Sequence, residues 1–509
     1  MGEKSQHDLD DQLPLAPIDD HDIGSRPTCL KSNTQEFLFV ISTATALAQE
    51  SFFIGLTVGL TAVIGNDLGM TIAEIAWISA GCSLTSGAFL LMFGRIADYY
   101  GRKKLFLFGM GGFTFAVLTA SFATSPIYLN IFSGVIGICS ASVVPPAIGK
   151  LGAVYETSSV RKNRAFACFS AGNPLGYVGG MMISGIAADI STWRTSFRAL
   201  AILYAIFTIV GAWAFPPDEG TTVPLSIESL RRFDVMGTIL IVVGFASLTA
   251  SLSLAAGAPH GWRTGYVIAL LCLGSTLLVC FVWWESKAQF PLMPPVIWQD
   301  RTFSAVVAVQ CLGEVGFSST TFWLSLFFQN VRKDSAIKIA LQLLPMVIGG
   351  IIVNVICALI LHKVSNQVLM GVGTVAFTVA FLILSFLREE ATYWAFIFPS
   401  LILIVIGVDV QYNVTNMYVM NSLPEQQSVA GGIFNTITRL CGNLSLGIST
   451  AIYISIKEKA DATTTDVVPY LFTFRFAAVA TGISLFLIPL VKIGKQGGPA
   501  IQEVPSVQV

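Results

Sequence analysis

The sequence predicts an all-α integral membrane protein with fourteen transmembrane helices and both termini in the cytosol. Three observations carry this. Only 12% of the 509 residues are charged and 54% are hydrophobic, against about 25% charged in a soluble domain, and the mean hydropathy is +0.72. Fourteen apolar stretches approach the roughly 20 residues that cross a bilayer as a helix. Lys and Arg gather in alternate connections between those stretches.

Along the chain, residues 1–35 are polar and acidic (DLDDQLPLAPIDDHD, 8–22). They read as a disordered cytosolic tail, and no cleavable signal is expected. Spans are expected at 37–64, 72–93, 104–123, 126–149, 164–188 and 195–215. The hydrophilic stretch PPDEGTTVPLSIESLRRFD (216–234) follows. A hairpin of spans, 235–256 and 264–284, comes next. After WWESKAQFPLMPP (283–295) come 303–328, 337–361, 366–387, 393–421, 427–455 and 470–492. The expected division is a bundle of six over 36–215, a linker with two extra helices over 216–300, a second bundle of six over 301–492, and a cytosolic tail, 493–509.

Orientation follows from the basic residues. Arg95, Arg102, Lys103 and Lys104 follow the second span. Lys150, Arg161, Lys162 and Arg164 follow the fourth, and Arg231 and Arg232 the sixth. Arg194, Arg332 and Lys333 fall on the other side. The first half of a chain usually dominates topology, which places both termini inside.

Composition also excludes classes. A net charge of −1 argues against a nucleic-acid partner. Nine cysteines are scattered without a CxxC, so neither a disulfide framework nor a zinc site is expected. His7, His21, His260 and His362 lie in tails or loops. No metal site, no cofactor, no HExxH and no phosphate-cradling loop is read here, which argues against an enzyme and an ATP-driven pump. Two bundles suggest instead a carrier with its substrate between them, near mid-membrane.

Residues 94–104, GRIADYYGRKK, form a charged knot between two nearly uncharged stretches. A tight turn at Gly94 and Gly101 is expected. Asp98 can sit at the start of the next helix or pair with Arg102. The knot is either a latch between bundles or a plain positive-inside signal. Farther on, Gly172, Gly176 and Gly180 recur every four residues in GNPLGYVGG (172–180). They stack on one face and permit close helix approach. Gly179 adjoins them, and Pro174 removes one backbone bond. Packing and a direct part in transport are both open readings.

Polar residues inside apolar spans are functional candidates because a charge there costs about 2.5–3.5 kcal/mol or more. Glu50, beside Gln49, lies mid-span in the first helix, and Glu314, near Gln310, mid-span in the ninth. If the bundles are repeats, these two correspond. Asp409 shares a helix face with Asn413 and Asn416, with Gln411 close by. A carboxyl held away from water can exchange protons near neutral pH. Glu50, Glu314 and Asp409 are therefore the proton-coupling candidates, Glu50 foremost; a partnered structural carboxyl is the competing reading. Arg439 is the basic residue embedded in the second bundle and could pair with Asp409 or Glu314. Trp193, Trp262, Trp283, Trp284 and Trp394 read as an interfacial belt.

The knot resembles the signature loop of the major facilitator superfamily, with Ile96 where Leu is usual. GNPLGYVGG is similar to the antiporter motif of its drug:proton exporters. RRFDVMGTILIVVGF (231–245), HGWRTGYVIALL (260–271), FPLMPPVIW (290–298) and SVAGGIFNTITRLCGNLSLG (428–447) resemble the linker and thirteenth span of its 14-span branch. The chain looks most like the fungal aminotriazole-resistance-like transporters. The resemblance implies a major facilitator fold in a 6 + 2 + 6 arrangement, working as a monomer in a lipid bilayer, at the plasma or the vacuolar membrane. It implies proton-coupled efflux of a small toxic compound or secondary metabolite by alternating access. Gly94, Asp98, Gly101, Arg102 and Lys103 would be the cytosolic gate, and Gly172, Pro174, Gly176, Gly179 and Gly180 the antiporter motif. One departure stands out: Ser133 occupies the fourth-span position where many relatives carry Arg. Uptake or facilitated passage of a small solute such as ammonium is the alternative, and a sensor with a transporter fold a weaker one, given short tails.

Overall fold

The computed structural model describes residues 26–70, 72–155, 160–190, 192–218, 234–255, 258–289, 291–293, 295–334, 336–361, 363–388, 390–422, 427–458 and 466–494. Most of both tails, His7, His21, His362, Arg231 and Arg232 lie outside these residues. Described residues form sixteen α-helices. The first eight are α1 (Asn33–Gly59), α2 (Thr61–Leu68), α3 (Ile72–Tyr100), α4 (Arg102–Ala120), α5 (Pro126–Ala141), α6 (Val144–Val154), α7 (Val160–Ile190) and α8 (Trp193–Ala214). The rest are α9 (Val235–Ala255), α10 (Gly265–Glu285), α11 (Arg301–Asn330), α12 (Ala336–Ile360), α13 (Asn366–Leu384), α14 (Tyr393–Ser422), α15 (Gln427–Glu458) and α16 (Val468–Leu485).

Among the described residues, ten helical stretches are long and apolar enough to cross a membrane. The remaining expected spans are occupied by α7, α11, α12 and α15. Polar residues lower the hydropathy of three of these: Arg161, Lys162 and Arg164 in α7, Gln310 and Glu314 in α11, Asn435 and Arg439 in α15. In α12 the apolar stretch is the shorter Leu341–Cys357. Large apolar side chains point outward, among them Phe108, Phe115 and Ile209. Such a surface suits hydrocarbon rather than water.

Three expected boundaries are corrected. The first segment, 37–64, is two helices: the Leu60 N–H bonds three residues back to the Thr57 carbonyl, and α2 starts at Thr61. The fourth, 126–149, breaks between α5 and α6, where Pro145 and Pro146 supply no N–H donors. The knot is not a loop. Helix α3 runs through Gly94 to Tyr100, and the turn is Gly101 alone, at φ 110°. That backbone is open to glycine and costly for other residues.

Helices pack in two groups. Among the first, α1 lies along α7, α3 against α5, and α4 against α8; in the second, α11 packs on α15 and α16, and α14 on α12 and α13. The groups meet along α7–α12 and α3–α15. The α9–α10 hairpin lies against α3 and α15 at their junction.

Candidate functional site

The knot joins the two groups at one end. Asp98 Oδ1 accepts from Arg102 Nε and NH2 at 3.0 and 2.8 Å. Its Oδ2 accepts from the Val429 backbone N–H at 3.0 Å, in the first turn of α15. Asp98 thus serves the start of a distant helix rather than of its own neighbour, α4. Arg102 NH1 donates to the Gly149 carbonyl at 3.0 Å, and Lys103 Nζ to that of Phe215 at 2.6 Å. Gly94 makes no turn. A Cβ there would lie 2.8 Å from the Ser428 carbonyl oxygen, so glycine is required by the close approach of α15.

The α7 glycines work by the same geometry. A Cβ on Gly172, Gly176 or Gly180 would collide with the carbonyls of Ala44, Ala48 and Phe52 of α1, and one on Gly179 would press on the Phe52 ring. From α1, Gly55 and Gly59 lie equally close to Tyr177 and Ser184; sequence reading missed both. Helix α7 runs unbroken through Pro174.

Glu50 is buried and forms an ion pair with Arg439 of α15. Of the partners open to Arg439, neither Asp409 nor Glu314 takes its ion pair; it crosses to the other group of helices. Ser86 Oγ donates to Glu50 Oε2 at 2.6 Å and Ser83 Oγ to Oε1 at 3.3 Å. These α3 serines complete the site and carry no sequence signal, since serine is common in membrane helices. Ser133 contributes no charge: its hydroxyl bonds back to the Leu129 carbonyl at 2.9 Å. The cation beside the first-group carboxylate therefore comes from the second group.

Glu314, half-buried in α11, accepts from Ser318 Oγ at 2.7 Å and faces α15 at Gly442, one turn beyond Arg439. The two glutamates thus converge on one helix.

A second polar node joins α7, α12 and α14. Asn413 Oδ1 accepts from Ser170 Oγ at 2.9 Å, and its Nδ2 donates to Asn354 Oδ1 at 2.8 Å. Asp409 is buried, and its Oδ2 has no partner. A Cβ on Gly350 would lie 3.3 Å from that oxygen and 3.5 Å from Pro174 Cγ, so the carboxylate lies by the glycine-proline segment. Ser170 and Asn354 were not anticipated. Gln411 does not join this face. Its Nε2 donates to Thr374 Oγ1 of α13 at 2.8 Å, because two residues along a helix turn a side chain well away. Gln49, Gln310 and Asn416 are buried, with side-chain atoms lacking partners.

Trp193 is not part of an outer belt. It is buried, and its Nε1 donates to Asp67 Oδ2 at 2.9 Å, where Arg194 NH1 donates at 2.7 Å. The Trp193 bond, then Arg194, holds the Asp67 carboxyl below its ordinary pKa. Trp284 Nε1 binds Asp234 Oδ1 at 2.9 Å, whereas Trp283 and Trp394 are exposed.

These features have counterparts among known proteins. The Major Facilitator Superfamily model matches residues 39–446. The efflux pump terJ of Aspergillus terreus is 30% identical, aligned over 85% of this chain and 83% of its own. The low affinity ammonium transporter of Saccharomyces cerevisiae is 28% identical over 83% and 82%. The aminotriazole resistance protein of the same yeast is 25% identical over 87% and 81%. The fold matches that of the human organic anion transporter MFSD10 (TETRAN), with a TM-score of 0.61, at 12% identity over 89% of this chain and 98% of that one. Two groups of apolar helices, joined through a glycine-bounded charged knot and matched over most of their length, identify the chain as an integral, multi-pass membrane transporter that belongs to the Major Facilitator Superfamily.

Proposed function

We propose that the protein is a proton-coupled exporter of a toxic small molecule or secondary metabolite, working by alternating access with fourteen spans and both termini in the cytosol. Residues 36–215 and 301–492 are the two moving bundles, and 216–300 carries the extra hairpin. The plasma membrane is its expected location. The observation that carries this reading is the Glu50–Arg439 ion pair, a buried carboxylate of one bundle held by a cation of the other.

A proton on Glu50 removes the attraction for Arg439 and loosens the bundle contact there. Deprotonation restores it. Asp409 offers a second carboxylate, beside the α7–α12 contact. At the knot end, the Asp98–Val429 bond must break as the bundles part on that side, so the knot is the latch of the closed state. Efflux-pump and resistance-protein relatives favour export.

Purified protein in liposomes with an imposed pH gradient and an internal pH dye tests this against a panel of fungal toxins, aminotriazole, borate and ammonium. Substrate-dependent proton movement, abolished in Glu50→Gln, supports the exporter. Solute flux without proton movement, corrected for passive ammonia leak, favours a facilitative carrier. That second reading is kept by Ser133, which leaves the fourth span without a cation, and by the ammonium-transporter relative.

A further inference from the structure

A groove of about 810 Å³ lies between α1, α7, α8 and α12, with Asn354 of the Asp409 node on its wall. Ala48, Phe52, Leu175, Phe207, Ile351 and Leu359 line it. Arg164 stands at one end, exposed, with no hydrogen bond or ion pair to the described residues. Its basic neighbours are engaged or covered: Arg161 Nε pairs with Glu36 at 3.1 Å, and Lys162 is buried. From Arg164 to Gly176 along α7 is about 18 Å at 1.5 Å per residue. That is close to one leaflet of a hydrocarbon core roughly 30 Å thick.

We propose that this groove seats an anionic phospholipid of the surrounding leaflet, with its phosphate on Arg164 and one acyl chain along α7. Charge complementarity selects an anion at the mouth. The nearly all-apolar walls select a chain, since they offer a polar solute almost no partners. Exposed Leu175, Val355 and Leu359 on the walls favour entry from the bilayer. Arg164 also lies at the end of α7 that follows the basic residues 150–162, where anionic headgroups are drawn to cationic pockets. The floor is rigid, because Gly172 and Gly176 rest on α1. Since α12 belongs to the second group of helices and the other three to the first, the lipid bridges the groups beside the Ser170–Asn413–Asn354 node.

The test uses the full chain in nanodiscs with phosphatidylserine carrying a diazirine in its acyl chain, compared with phosphatidylcholine carrying the same chain. Labelling is expected in peptides spanning 164–176 and 351–359, with phosphatidylserine favoured. Arg164→Glu should lower phosphatidylserine labelling by at least about five-fold, the worth of one basic residue against an anionic headgroup, and leave phosphatidylcholine unchanged. Arg164→Gln gives a milder version of the same readout if the reversal misfolds. Val355→Trp, filling the groove from its rim, should lower labelling by both lipids. Equal labelling by both lipids that ignores Arg164→Glu overturns the proposal. So does displacement of the probe by a soluble anionic dye, which would mark the groove as a solute entrance.

Discussion

Asp98 at the end of α3 accepts a hydrogen bond from the backbone N–H of Val429, 331 residues away, at the start of α15. One carboxylate thereby closes its own helix end through Arg102 and receives a helix of the opposite group. The contact is possible because Gly94 and Gly149 leave room for Ser428.

Replacing Asp98 by Asn should open this end. A hydrogen bond to a charged group is worth about 1.5–3 kcal/mol, so the closed-to-open ratio should fall about 10- to 100-fold. Distance distributions between spin labels on α3 and α15 would report it, and an unchanged distribution would remove the latch role.

Removing one partner of the Glu50–Arg439 pair should destabilise the protein strongly. Buried pairs broken on one side cost about 3–5 kcal/mol; the partial exposure of Arg439 places this pair at the lower end. The double variant Glu50→Gln/Arg439→Leu should regain thermal stability without regaining proton-coupled transport. Restoration of both together would assign the pair a structural role alone.

Substitution of Gly172 by Ala should cost about 1–3 kcal/mol by overpacking α1 against α7. Gly111→Ala in α4, where an added Cβ meets nothing within 4 Å, should instead gain about 0.5–1 kcal/mol. Thermal melts in detergent distinguish the two, and equal shifts would contradict the packing account.

The Asp67 carboxyl, held low by Trp193 and Arg194, stabilises the α2–α8 contact above its unfolded pKa. That contribution is lost as pH falls through the lower folded value. Asp67→Asn should therefore lower stability at neutral and alkaline pH and converge with the parent protein at acid pH, flattening the acid limb of a stability-versus-pH curve. A parallel downward displacement at every pH would argue against this.

Much of the molecule is legible in the chain itself. Runs of apolar residues and their basic punctuation mark the helices, and the four-residue glycine spacing of 172–180 marks a face of close approach. Both are local properties of one segment. The candidate carboxylates stand out for the same reason, since a Glu or Asp in an apolar run is conspicuous wherever it points.

Partner choice was decided only in three dimensions. Arg439 meets Glu50 across 389 positions, and Ser83 and Ser86 join them from a third helix. Nothing in the pattern of any one of these segments distinguishes this pairing from one with Asp409 or Glu314. A membrane helix is apolar toward lipid and toward its neighbours alike, so its sequence carries little of the facewise contrast that orients a soluble helix. The partner that Gln411 finds on α13 and the approach of α15 to Gly94 follow from which helices lie side by side. The sequence alone determined that this chain is a bundle of membrane helices with charges at particular depths. Tertiary packing decided which of those charges meet, because contacts between helices depend on distance and facing rather than on order along the chain.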